Sequence, residues 1–240
     1  MNQLVDILKY NGAIYSNEAI EIMKSVDRAK FVPQHLEKCA YLDRPLPIGF
    51  GQTISAPSIH SLALEVLLEV IPDPLGVYNI LDVGCGSGYF SALLAKARPN
   101  ANVYGIDCFD GLLKQTNDHC DAVAVDVQII HADGWKGLPQ VAPFDIIHCG
   151  AGATTIPSPL LAQLKLGGRM IIPVGPTGMQ TYLQVDRIQN DDAKANAWNG
   201  DGLSTPQPDT QAYSPSNLHS GHNGGSDIRD VDLSKFVINE

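Results

Sequence analysis

Residues 80–89, ILDVGCGSGY, constrain this chain more than any other stretch of its sequence. A short apolar run enters Gly84, Gly86 and Gly88, and a helical pattern begins directly behind them. Glycine lets a backbone turn sharply and approach a ligand with no Cβ in the way. The first N–H groups of a helix behind such a turn lack intrahelical partners and face whatever occupies it. A glycine-rich turn alone is weak evidence, and the setting decides its weight. Apolar runs at 79–83, 103–106, 127–130, 144–149 and 169–173 alternate with helical periodicity at 89–97, 111–119 and 157–166. That alternation implies βαβ units and a parallel, buried sheet. Right-handed crossovers then give a doubly wound, three-layer α/β fold, with the glycine loop after its first strand.

Upstream, Ala19, Ile20, Met23 and Val26 recur at helical spacing, with Ser16 as the cap. Residues 41–57, YLDRPLPIGFGQTISAP, are too long and too apolar for a simple linker. A helix follows, with Leu62, Leu64, Val66, Leu67 and Val70 as its apolar stripe. Downstream, 191–225 is rich in Asn, Asp, Ser, Gly and Pro and poor in large apolar residues. Such a segment buries too little surface to offset its ordering entropy and is expected to be a disordered insert or tail. Residues 231–238, VDLSKFVI, suit one last strand. The division expected is a domain over 1–190, with a helical region at 1–75 and a core at 76–190, then a polar segment at 191–240.

The loop could serve a dinucleotide or another nucleoside-bearing ligand, and spacing separates the two. A dinucleotide fingerprint sets its third glycine three residues after the second, to admit a pyrophosphate. Here the glycines are spaced by two, the pattern of proteins that use S-adenosylmethionine, which has no phosphate. Asp107 ends the second strand, where a carboxylate can accept from ribose hydroxyls. It could instead cap the helix that starts near Asp110. Cys108 beside it would line the adenine edge. Asp133 and Gly134 end the third strand, near the adenine amino group, unless they form only an Asp-Gly turn.

No stretch concentrates lysine and arginine, so nucleic-acid binding has no visible source. No apolar run approaches the ~20 residues that cross a bilayer, and the N-terminus lacks a signal-peptide pattern. The cysteines form no C-x-x-C pair, and His148 and the other histidines show no ligand spacing, so no metal is expected. The chain reads as a soluble, cytoplasmic monomer with free thiols.

Several segments occur in one family's order: RAKF at 28–31, AYLD at 40–43, QTISAP at 52–57, LDVGCGSG at 81–88, ADGW at 132–135, APFD at 142–145 and QLKLGGRMIIPVG at 163–175. Together they resemble protein-L-isoaspartate O-methyltransferases over roughly residues 4–188. QTISAP is the most telling, because methyltransferases at large share the glycine loop but not that segment. The resemblance implies a Rossmann-like methyltransferase fold with an N-terminal helical extension and S-adenosyl-L-methionine as methyl donor. It also implies isoaspartyl-containing peptides and proteins as substrates. Gln52, Thr53, Ile54, Ser55 and His60 would line the donor and substrate pocket, with the Ser55 hydroxyl on the substrate carboxyl. Gly84, Gly86, Ser87 and Gly88 would meet the donor at the loop, Asp107 and Cys108 its ribose and adenine, and Asp133 and Gly134 the adenine. Read from the residues alone, Ser55 could equally cap the helix that starts near Pro57.

One departure stands out. The family closes its sheet with a strand resembling V-x-Y-V-P-L, and none occurs after Gly175. An unfinished antiparallel end, with an exposed edge at 180–187 open to self-association, is the expectation. A donor-binding protein with weak or no catalysis, or a methyltransferase for another carboxylate or small molecule, therefore remains an alternative. A dehydrogenase is disfavoured by the glycine spacing.

Overall fold

The computed structural model describes residues 1–176 and 178–188, together with the backbone of Phe236–Asn239. The polar segment 191–225 lies outside the described residues. The chain opens with α1 (Asn2–Tyr10) and α2 (Asn17–Ser25). Ser16 caps α2 by accepting from the Ala19 amide at 3.1 Å, satisfying one orphan donor of the first turn. Ala19, Ile20 and Met23 face the core, and the helix stops at Val26 in extended backbone.

A short 3-10 turn, Arg28–Phe31, and a second, Gln34–Cys39, lead into a hairpin of β1 (Leu46–Gly49) and β2 (Gln52–Ile54). This hairpin is a two-stranded sheet of its own, outside the main one. Its tip turns through Gly49, Phe50 and Gly51, all at positive φ. Then comes α3 (Pro57–Leu68), with proline in its first turn, where the missing N–H is no loss. The stripe read from sequence holds for Leu64 and Leu67, whereas Leu62 points to solvent and Val70 lies past the helix end.

The core alternates as the runs imply: β3 (Asn79–Val83), α4 (Tyr89–Ala97), β4 (Asn102–Asp107), α5 (Asp110–Ala122), β5 (Gln128–His131), β6 (Phe144–Cys149), α6 (Ser158–Gln163), β7 (Leu164–Val174) and β8 (Thr181–Arg187). The main sheet runs β5-β4-β3-β6-β7-β8-β9, where β9 is Phe236–Asn239. β3 to β7 are parallel, and β8 and β9 are antiparallel additions. Two apolar layers flank the sheet. One packs α1 to α4 against its first face, and the other packs α6 around Phe144, Ile147, Met170 and Ile172.

The expected open edge at 180–187 needs correction. β9 pairs with it from Gln184 to Arg187, so the ladder groups of that half are engaged. Only the stretch from Thr181 to Leu183 lacks a strand neighbour on that side among the described residues. The pairing is made by the end of the apolar run at 231–238, not by a V-x-Y-V-P-L strand.

Candidate functional site

The strand order reverses between β3 and β6, and a cleft of about 210 Å³ opens beyond their carboxyl ends. Its floor is the glycine loop. Gly84 and Cys85 donate backbone N–H groups to the Ile106 carbonyl, at 2.8 and 3.1 Å. The Gly86 N–H donates to Asp107 Oδ2 at 3.0 Å, and Asp107 Oδ1 accepts from the Phe109 N–H. Asp107 is therefore buried against the loop and holds the turn into α5, while Phe109 occupies the cap position itself. Gly84 has φ 70°, and a Cβ there would stand 2.9 Å from the Ala151 Cβ, so the loop and the segment after β6 meet only through glycine.

Of the residues singled out in the sequence, Gln52, Thr53, Gly84, Gly86, Asp107, Cys108, Asp133 and Gly134 line this cleft together. Asp133 also makes the plain turn, accepting from the Trp135 N–H and pairing with Lys136. Asp133 thus forms the Asp-Gly turn and lines the cleft at once. Ile54, Ser55, His60 and Ser87 instead line a smaller inner cavity of about 30 Å³, which shares Thr53, Gly84, Gly86 and Gly150 with the cleft. The two spaces adjoin across the loop. Gly88 lines neither. Its φ is 83° and a Cβ would lie 2.6 Å from Thr116 Cγ2, so close packing of α4 on α5 sets its identity.

Ser55 does not cap α3. The cap position belongs to Ala56, which offers no side-chain bond. The Ser55 carbonyl accepts from Arg28 Nη2 at 2.7 Å, and its half-buried side chain faces the inner cavity. His60 is buried, stacked on Phe90 with ring centroids 5.5 Å apart. Burial, then Arg28 and His148, pushes its imidazole well below the usual 6.5, so it is neutral at physiological pH.

Sequence reasoning missed several members. Trp135 and Phe109 stand at the cleft's rim and Ala151 to Ala153 form its far wall. In the inner cavity, Asp82 accepts from His148 Nδ1 at 2.8 Å and from the Ser91 hydroxyl. Asp82 and His148 come from the paired strands β3 and β6, 66 positions apart, and no local pattern announces such a pair. Burial pushes the thiols of Cys85 and Cys149 up, so both stay protonated and unreactive.

The cleft suits a nucleoside with a ring to shelter and hydroxyls to accept from. Ile106, Leu160, Ile172 and Trp135 supply apolar wall, and Asp107 and Asp133 supply acceptors. No lysine or arginine lines it among the described residues, so a pyrophosphate would meet no cation. This is the chemistry S-adenosylmethionine presents, and the residues fit it.

Comparison with known proteins agrees. The profile of the family described as protein-L-isoaspartate(D-aspartate) O-methyltransferase matches residues 1–200. A protein-L-isoaspartate O-methyltransferase of Methanopyrus kandleri is 39% identical over 201 residues, covering 82% of this chain and 87% of that protein. One of Triticum aestivum is 40% identical over 182 residues, covering 72% and 77%. A family crystal structure from Plasmodium falciparum, in complex with S-adenosyl-L-homocysteine, superposes with a TM-score of 0.69 at 28% identity, covering 77% of this chain and 88% of that one. The chain belongs to the protein-L-isoaspartate(D-aspartate) O-methyltransferase family.

Proposed function

We propose that this enzyme transfers the methyl group of S-adenosylmethionine to the free α-carboxylate of L-isoaspartyl residues in damaged proteins and so initiates their repair. The observation that carries this reading is the place of Ser55. The hairpin and α3 hold it at the inner cavity, one shared wall away from the cleft of Asp107 and Asp133. Residues 1–190 do this work in the proposal, with Gln52, Thr53, Ile54, His60, Gly84, Gly86, Ser87, Asp107, Cys108, Asp133 and Gly134 as donor contacts and Ser55 on the acceptor.

The chemistry asks for no strong base at Ser55. A carboxylate with an ordinary pKa near ~4 is ionised at neutral pH, so no proton has to be removed. The bound donor supplies an activated methyl on a cationic sulfur. The chain's task is to align the two and exclude water from the nucleophile. One hydroxyl, from Ser55, orients the carboxylate by donating a single hydrogen bond. The resulting ester is a better electrophile than the acid, so closure to a succinimide follows without further help. The protein acts in this proposal as a cytoplasmic monomer, with its thiols unpaired.

The test is methyl transfer to matched peptides that differ only in carrying isoaspartate or aspartate. Turnover of the isoaspartyl peptide alone supports the reading. Donor binding with no turnover, or turnover only of other acceptors, would overturn it.

A further inference from the structure

Among the described residues Arg28 and Arg98 are fully buried and Arg169 nearly so, and Arg28 differs from the other two. Arg98 meets the Glu18 carboxylate at 2.5 Å, and Arg169 meets both Glu69 and Asp186 at 2.6 Å. Arg28 is fully buried and has no carboxylate within ion-pair distance among the described residues. Its partners are neutral. Nη2 donates to the Ser55 carbonyl at 2.7 Å, Nη1 lies 3.4 Å from His60 Nδ1, and the guanidinium sits 5.4 Å from the Tyr89 ring centre. Its Nε has no hydrogen-bond partner among the described residues.

Leaving a buried cation without an anion costs free energy, often several kcal/mol. Burial lowers its pKa only to about 10, so the charge persists at neutral pH. Two consequences follow for its neighbours. A guanidinium has hydrogens to donate and no lone pair to offer. His60 Nδ1 must then present its lone pair, which leaves the imidazole proton on Nε2. The neutral ring, which lines the inner cavity, thus keeps its N–H on Nε2. The charge, which Asp43 meets only through space, also lies directly behind the Ser55 backbone, in a low-dielectric setting where its field on an anion is strong.

We infer that Arg28 is a positioning residue for a carboxylate bound at Ser55 and His60: it fixes the Ser55 loop, sets the His60 tautomer and supplies a positive charge that no described residue lining the two spaces provides. The carboxylate has two sources, the α-carboxylate of the isoaspartyl acceptor and that of the donor's own methionine portion. The acceptor source rests on the proposed activity; the donor source does not. Methyl transfer neutralises an attacking carboxylate, so a charge that favours the anion strengthens binding and does not accelerate the chemical step. The effect belongs in KM or Kd, with kcat little changed.

The experiment compares wild type with Arg28→Gln, which keeps one donor and loses the charge, and Arg28→Lys, which keeps the charge. Steady-state kinetics on the isoaspartyl peptide run beside calorimetry with S-adenosylhomocysteine and with 5′-methylthioadenosine, which lacks the amino-acid portion. In Arg28→Gln, a rise of roughly tenfold in peptide KM, with kcat held within about threefold, assigns the charge to the acceptor. A similar loss for S-adenosylhomocysteine but not for 5′-methylthioadenosine assigns it to the donor. In either case Arg28→Lys should recover most of the loss. Equal weakening of both nucleosides, unchanged constants throughout, or no recovery by lysine would overturn the inference. Nitrogen chemical shifts of wild-type His60, assigned by difference against His60→Gln, test it without any change at Arg28; a proton on Nδ1 would refute it. If the wild type leaves isoaspartyl peptide unmethylated, the proposed activity fails while the two nucleosides still test Arg28.

Discussion

At the glycine-loop end of the site, Gly84, Cys85 and Gly86 donate backbone N–H groups to the Ile106 carbonyl and the Asp107 carboxylate. At the Ser55 end, the Arg28 guanidinium reaches the Ser55 carbonyl and the His60 ring, on elements that the main sheet does not contain. The first end belongs to the α/β core and repeats what any doubly wound sheet provides beyond its strand ends. The second is assembled from the 3-10 turn, the hairpin and α3; in the proposal the first end meets the donor and the second the acceptor. Substitutions that spare the backbone should therefore disturb the acceptor end selectively, whereas the donor end should be sensitive chiefly where a side chain props the loop.

The largest effect is expected from Asp107→Ala. That change removes the acceptor for the Gly86 and Phe109 amides along with the carboxylate at the cleft. Calorimetry should show S-adenosylhomocysteine binding weakened about 100-fold, or ~2.7 kcal/mol. Unchanged affinity would mean that the two ends are not divided as described. Ser55→Ala comes next and should act on the other end alone. Its kcat/KM should fall 10- to 100-fold, ~1.4–2.8 kcal/mol, with donor affinity within about threefold. Full turnover with a lowered Tm would return Ser55 to a structural role.

A smaller loss is expected for Trp135→Ala, since the indole is 45% exposed at the rim and covers only part of the cleft. Removing it should weaken donor binding by ~1 kcal/mol, about fivefold. In the wild type its fluorescence should change as S-adenosylhomocysteine binds; a silent signal would put the ring outside the bound nucleoside. The smallest effect on the site is expected from ending the chain at residue 230. Loss of β9 uncovers the ladder groups of β8 between Gln184 and Arg187. Sedimentation should then show self-association through the bare edge, with donor affinity unaltered. A shortened chain that stayed monomeric would show that the edge is protected in another way.

The core was legible because its signals are local. The strands at 79–83 and 144–149 and the helix at 89–97 have the bounds their apolar runs imply. Elsewhere periodicity misled. α6 ends at Gln163 and β7 already starts at Leu164, although leucines at 160, 161, 164 and 166 continue the helical spacing. β7 also runs through Lys165 to Gly168, whose polar and glycine residues carry no alternation. The hairpin went unseen as strands because each arm is short and its tip is held by glycines around Phe50. At the site, the glycine loop, Asp107 and Asp133 follow from position along the sheet. Arg28 does not. Read in sequence, an arginine is a surface residue, and its burial depends on Ser55, His60 and Tyr89 arriving from distant segments.

Where Arg28 sits also governs how the enzyme responds to ionic strength. Dissolved ions screen exposed charges over ~10 Å at 0.1 M but cannot enter the packed interior around a buried guanidinium. The chain as a whole, by contrast, carries a formal net charge of −10, which repels anionic partners at low salt. Adding salt quiets that repulsion and leaves the inner attraction as it was. For acidic protein substrates, the enzyme should therefore bind more readily as salt rises toward physiological levels, the reverse of what a surface cation would give.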